Sequence, residues 1–95
     1  MNQESRRTDE LELLLRAICA LESPEEARAL LFDLCTPREL DDLSQRLAVA
    51  RMLAEGRSYV DVSHATGASS TTVSRVSKCL NGPAGGYRLV LSRLG

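Results

Sequence analysis

Two stretches of the chain open in the same way, "SPEE" at residues 23–26 and "TPRE" at residues 36–39, and leucines and alanines follow each at helical spacing. In such an opening a hydroxyl oxygen accepts an amide of the first turn, and a proline occupies a position where its missing N–H costs nothing. A glutamate then reaches back to a second orphan amide, so the pattern starts a helix. The first opening leads into Ala27, Leu30, Leu31 and Leu34. The second leads into Leu40, Leu43, Leu47, Ala50 and Leu53 or Ala54, which should form its buried side, and Gly56 stops it. Ahead of both, the spacing predicts a helix over about residues 8–21. Leu11, Leu14, Leu15 and Ile18 share one face, and Leu13, Cys19 and Leu21 widen it beyond what a small monomer buries. Only Phe32, Tyr59 and Tyr87 are aromatic and few segments alternate, so the expected fold class is all-α. A chain of 95 residues suits one compact domain, read as residues 1–95.

The segment after Gly56 carries the chemistry. Ser58 caps a short helix in "SYVDVSHATG", with Asp61 three residues on, and Gly67 and Ala68 form a tight turn into "SSTTVSRVSKCL". A helix-turn-helix needs inward residues on both helices, a small residue where they approach and a glycine at the turn. Val62, Ser63, Gly67, Val73 and Val76 supply these in register, Leu80 continues the inward face, and the unit spans about residues 58–80. The outward side then presents Ser70, Thr71, Ser74, Arg75 and Lys78, with Ser69 and Thr72 completing the hydroxyl run. These seven are the candidate DNA-binding residues. Short hydroxyls at a helix N-terminus let backbone amides approach phosphates and leave room for contact with base edges. Arg75 suits a guanine edge or a phosphate, and Lys78 a phosphate.

Taken alone, the hydroxyl run fits a capped, solvated helix equally well. Charge helps to separate the readings. The formal net charge is -1, yet residues 1–45 hold 5 Lys+Arg against 11 Asp+Glu, and residues 46–95 hold 7 against 2. A locally basic half suits phosphate binding, while the acidic half suppresses loose association. Glycine turn, valine spacing and basic second half together favour double-stranded DNA read in the major groove.

Other classes find less support. Cys19, Cys35 and Cys79 are odd in number and widely spaced, so neither a disulfide framework nor a metal site is expected, and they read as small buried apolar residues. No apolar run approaches the roughly 20 residues that span a bilayer, and a cytoplasmic protein is expected. An enzyme is not expected. His64 is the only histidine and reads as a surface or phosphate-facing residue, no nucleophile and base can be grouped, and "NGPAGGY" lacks the lysine of a phosphate loop. No cofactor is implied. The competing reading is a helical protein-interaction module whose basic helix binds an acidic partner, although such sites usually show apolar anchors on the binding helix. Beyond "NGPAGG", the segment "YRLVLSRLG" fits either a short helix or a strand-like tail.

From "TPRELDDLSQRLAVARMLAEG" through "YVDVSHATGASSTTVSRVSKCLN", about half the chain, the sequence resembles the Trp repressor superfamily, nearest its YerC/YecD branch. The Thr-Pro opening, the helix bearing Arg46, Gly56 and the stretch Thr72, Ser74, Arg75 carry the resemblance. It implies an all-helical, intertwined homodimer with one helix-turn-helix per subunit, acting as a transcriptional regulator of the repressor kind. It also implies that Arg46 and Arg75 match the arginines flanking the corepressor indole in the Trp repressor. Here the pattern breaks. Val76 follows Arg75 where the repressor has a glycine, and Asp33 and Cys35 replace leucines before the Thr-Pro. A valine fills the indole slot, so tryptophan dependence is not expected and no other small-molecule corepressor is assigned. Arg46 then reads as a solvated or dimer-bridging charge.

Overall fold

Capping chemistry sets the helix boundaries in the computed structural model, which describes residues 3–95. The helices are α1 (Gln3–Cys19), α2 (Pro24–Leu34), α3 (Pro37–Ala54), α4 (Tyr59–Thr66), α5 (Ser70–Leu80) and α6 (Gly86–Leu94). Among the described residues there is no strand, and the all-α expectation holds. Ser23 caps α2, its Oγ accepting from the Glu26 amide at 3.1 Å. The Glu26 carboxylate reaches back one residue further than a capping box requires, to the Glu22 amide at 2.9 Å. At the end of α3, Gly56 takes φ 86, and the Arg57 and Gly56 amides close on the Met52 and Leu53 carbonyls. This paired closure is the Schellman arrangement, which needs a residue that tolerates left-handed backbone.

The chain forms two compact units, Met1–Pro37 and Arg38–Gly95. In the first, α1 begins at Gln3 and ends at Cys19, displaced from the expected span of about 8–21. Thr8, expected at the start, lies inside the helix, where its hydroxyl donates to the Glu4 carbonyl at 3.0 Å. Glu4 in the first turn favours the positive end of the helix dipole, and Arg6 and Glu10 pair at 3.9 Å, so the polar lead-in is itself helical. No described residue of α1 or α2 is buried. Leu13 is 60% exposed and Phe32 56%. The wide apolar surface foreseen for this region is present, and this chain alone does not cover it.

In the second unit, Val49 and Ala50 of α3, Val62 of α4, Ala68 of the turn, and Val73 and Val76 of α5 form the core. Leu80 is also buried. Met52, Leu53, Tyr87 and Leu91 pack against this cluster partly buried. The expected buried side of α3 requires correction: Ala50 and Leu53 pack inward, but Leu43 and Leu47 remain exposed, and Val49, absent from the leucine stripe, is fully buried. The fully buried residues of α3 all come from its C-terminal half, and of the earlier leucines of the stripe only Leu40 is half-buried.

The last segment is a helix rather than a strand. Gly85 precedes α6 at φ 76, and the Arg88 guanidinium donates to the Leu80 carbonyl, tying α6 to the end of α5. The cysteines also differ from expectation. Cys19 and Cys79 are exposed and Cys35 is half-buried: Cys19 is the last residue of α1, Cys35 is the C-cap of α2, and Cys79 lies on α5 outside the inward set Val73, Val76 and Leu80.

Candidate nucleic-acid interface

The turn between α4 and α5 is locked by side chains as well as by its glycine. Gly67 ends α4 at φ 75 and its amide closes on the Ser63 carbonyl at 2.9 Å. Ser63, expected as the small residue of close approach, also donates its hydroxyl to the Ala68 carbonyl at 2.6 Å. Thr66 Oγ1 donates to the Val62 carbonyl and accepts from the Ala68 amide. Gln45 of α3 reaches across 21 residues to donate to the Thr66 carbonyl at 3.2 Å. The short connection is therefore tied to the protein on both sides of its glycine, through the Gly67 and Ala68 amides and the Thr66 and Ala68 carbonyls, which restricts how α5 leaves the turn.

Helix α5 has a sharp inside and outside. Val73 is 0%, Val76 2% and Leu80 8% exposed, and these three hold one face in the core. On the other side Ser70, Thr71, Ser74, Arg75 and Lys78 line a shared groove of about 590 Å³, together with Tyr59 of α4. The two remaining candidates stand apart from it. Ser69 is the N-cap of α5: its Oγ accepts from the Thr72 amide at 3.1 Å and its hydroxyl donates to Thr72 Oγ1 at 3.1 Å. Local capping thus engages both hydroxyls.

No acidic side chain lines the groove. Among the described residues, the ion pairs are Arg6 with Glu10 and Arg51 with Glu55, so Arg75 and Lys78 keep their charges unpaired by carboxylates. A cationic, hydroxyl-lined helix face of this kind accepts phosphate oxygens and base-edge acceptors. His64 is exposed on α4 and does not line the groove. Arg46 lies half-buried on α3, and the groove that holds Arg75 does not include it. Val76 sits in the core cluster beside Val49, Ala50 and Val73.

Tyr59 was not among the candidates from sequence. It is half exposed, and its hydroxyl bonds Ser77 Oγ of α5. Those two residues are 18 apart in the chain, and only the crossing of α4 and α5 brings them together. Among the described residues, no cluster of three or more His, Cys, Asp and Glu side chains could hold a metal ion. No described helix is long and apolar enough to cross a membrane.

With this geometry in place, residues 9–95 match the model of the Trp repressor protein family. The chain is 43% identical over 94 residues to the uncharacterized protein YerC of Bacillus subtilis (strain 168), covering 99% of this chain and 90% of that protein. A crystal structure of a TrpR-like protein from Eubacterium eligens ATCC 27750 superposes with a TM-score of 0.87 at 44% identity, covering 98% of this chain and 96% of the other. A Staphylococcus aureus crystal structure gives a TM-score of 0.87 at 39% identity over 99% of this chain and 94% of its own.

Proposed function

The chain belongs to the Trp repressor protein family, a family of helix-turn-helix DNA-binding regulators and not of enzymes, and from that premise we propose that it is a sequence-specific repressor that reads double-stranded DNA with α5. The observation that carries this reading is the two-sidedness of α5. Val73, Val76 and Leu80 anchor it in the core, while Ser70, Thr71, Ser74, Arg75 and Lys78 meet in one groove without an acidic neighbour. A helix held this way enters a major groove with its N-terminal residues nearest the base edges.

The regulator is a homodimer in this reading. Neither α1 nor α2 buries a described residue, and Leu11, Leu13, Leu15, Ile18, Phe32 and Leu34 are each about half exposed or more. Exposed apolar area on this scale exceeds the scatter found on a monomer surface, and a second copy of the same helices would bury it. Tryptophan is not required for DNA binding. Val76 is a buried core residue at the place where the Trp repressor keeps a glycine, so a ring entering beside Arg75 meets a filled position.

Selection of bound sequences from random duplex DNA by the purified protein tests the reading. The expected outcome is a defined site made of two inverted half-sites, with centres about 34 Å apart, one turn of DNA, or a multiple of that. Retention that falls steeply with salt but enriches no sequence would reduce the protein to a non-specific binder, and no retention at low salt would refute the DNA reading altogether.

A further inference from the structure

We propose that Gln45 is a positioning residue that sets the direction of α5 relative to α3, and with it the spacing of half-sites the protein accepts; the inference rests on the DNA-binding and homodimer readings above. Gln45 lies half-buried on α3, four residues ahead of Val49 and so on the same side of the helix. Its Nε2 donates to the Thr66 carbonyl at 3.2 Å. Thr66 is the last residue of α4, and the carbonyls at that end of a helix have no partner within it. A side chain from another helix supplies the bond here. Only Gly67 and Ala68 separate Thr66 from Ser69, the N-cap of α5, and the amides of both are bonded within the turn, to the Ser63 carbonyl and to Thr66 Oγ1. Whatever holds the Thr66 carbonyl therefore also holds the start of the reading helix.

Helix α3 holds the turn at two levels. Val49 and Ala50 share the core with Val62 and Ala68, and Gln45 makes its bond one helical turn nearer the start of α3, about 6 Å along the axis. The two contacts differ in kind. Apolar packing among valines and alanines is non-directional, and by itself it leaves the turn able to pivot on α3. A hydrogen bond has a preferred angle as well as a length, so the amide opposes that pivot. The place of Gln45 in the chain connects this to spacing. It stands in sequence between Leu43 and Leu47, which are exposed apolar residues like those assigned above to the dimer contact. Helix α3 is then common to the frame that joins two copies and to the reading head, and Gln45 locks one to the other. Two heads locked at a fixed angle reach half-sites at one separation, whereas heads free to pivot tolerate several.

The test uses the full chain and three duplexes: the preferred site of two half-sites, the same half-sites moved one base pair further apart, and a single half-site. Dissociation constants and thermal stability are measured for wild type, Gln45→Met and Leu91→Ala. Gln45→Met keeps the length of the side chain and removes the donor, whereas Leu91→Ala lowers stability from α6, where Leu91 packs on the core, without touching the turn. Wild type should discriminate between the two spacings. Gln45→Met should bind the single half-site as wild type does and narrow the ratio of affinities between the two spacings about fivefold, the worth of one net hydrogen bond. Leu91→Ala should leave that ratio unchanged. A bond that only braces the fold would make Gln45→Met lose affinity equally on all three duplexes, in step with its thermal stability, and that result overturns the proposal. So does an equal narrowing in Leu91→Ala. A wild-type ratio in Gln45→Met, or a wild-type protein indifferent to spacing, also overturns it and leaves the DNA reading standing. If wild type shows no salt-dependent binding to any duplex, the DNA reading fails first and this role with it.

Discussion

Replacing Lys78 by alanine gives a number that depends on both the location of the DNA surface and the number of subunits on it. Lys78 is exposed, lines the α5 groove and has no ion pair among the described residues, so its ammonium can meet a phosphate without breaking an internal bond. Each neutralised phosphate contributes about 0.9 to the slope of log affinity against log salt on B-form DNA. Over the fourfold rise from about 50 to 200 mM salt, losing one contact narrows the gap between wild type and variant by roughly 3.5-fold. A symmetric dimer loses two, the slope changes by about 1.8, and the gap narrows by roughly 12-fold. Fluorescence anisotropy on a labelled duplex, repeated at several salt concentrations, reads this directly. Thermal stability should stay within about 0.5 kcal/mol, because an exposed side chain outside any core is being removed. Parallel log-log lines for variant and wild type would refute the placement of Lys78 on the DNA, and a 3.5-fold narrowing would place one subunit on each site.

Arg75→Ala should cost about 1–3 kcal/mol at the preferred site and broaden the sequences recovered in a binding selection, whereas a loss equal on all sequences makes Arg75 a phosphate contact only. Gly67→Ala should destabilise the fold by about 1–2 kcal/mol in chemical denaturation, since alanine at φ 75 is strained even though its Cβ meets nothing within 4 Å. Adding millimolar L-tryptophan should leave DNA affinity unchanged, and a rise of about tenfold with saturable binding in calorimetry would show the position beside Arg75 to be open.

The parts of the fold that were legible in the sequence are those fixed by local chemistry. Ser23 with Glu26, Ser58 with Asp61, and the glycines at 56 and 67 act within a few residues of themselves, and each ends or begins a helix where the sequence places it. Periodicity likewise identified Val62, Val73, Val76 and Leu80 as inward. It failed on α3, where a leucine stripe of the right spacing continues past the end of the core and Val49 lies beside the stripe rather than on it. Spacing gives the width of an apolar face and not what covers it. Whether residues 86–94 form helix or strand was likewise open, because Leu89, Val90, Leu91 and Leu94 do not single out either period; the Arg88 bond to the Leu80 carbonyl is a tertiary contact. Tyr59 was missed for the same reason. Its partner is 18 residues away, and a hydroxyl on the first residue of a helix gives no sign of the helix it will meet.

In the proposed reading α5 does two jobs with interleaved residues, packing the core and meeting DNA, and its outward face would then need no ligand to hold it. Arg75 lies between Ser74, which shares its groove, and Val76, which is 2% exposed in the core. At about 100° per residue, a valine fixed on the inner side sets the direction of the arginine preceding it to within the freedom of the arginine's own rotamers. Val73 repeats the constraint one turn earlier and Leu80 one turn later, so the backbone under Ser74, Arg75 and Lys78 is anchored at three points. A glycine at position 76 would remove the middle anchor and open a space that a flat ring could fill, making the orientation of the helix depend on occupancy. With valine there, the anchor is a side chain of the protein itself packed in the core, and a ligand could alter DNA binding only by favouring some other arrangement of α5. Val76→Gly should therefore lower stability through both the cavity and the flexible backbone, by about 2–3 kcal/mol on the usual scale for such losses. It should also weaken DNA binding at low salt without changing the salt slope, because every charge remains in place and only the alignment of the helix is lost. A Val76→Gly protein that keeps full affinity would show that the core face of α5 does not set the geometry of its outer face.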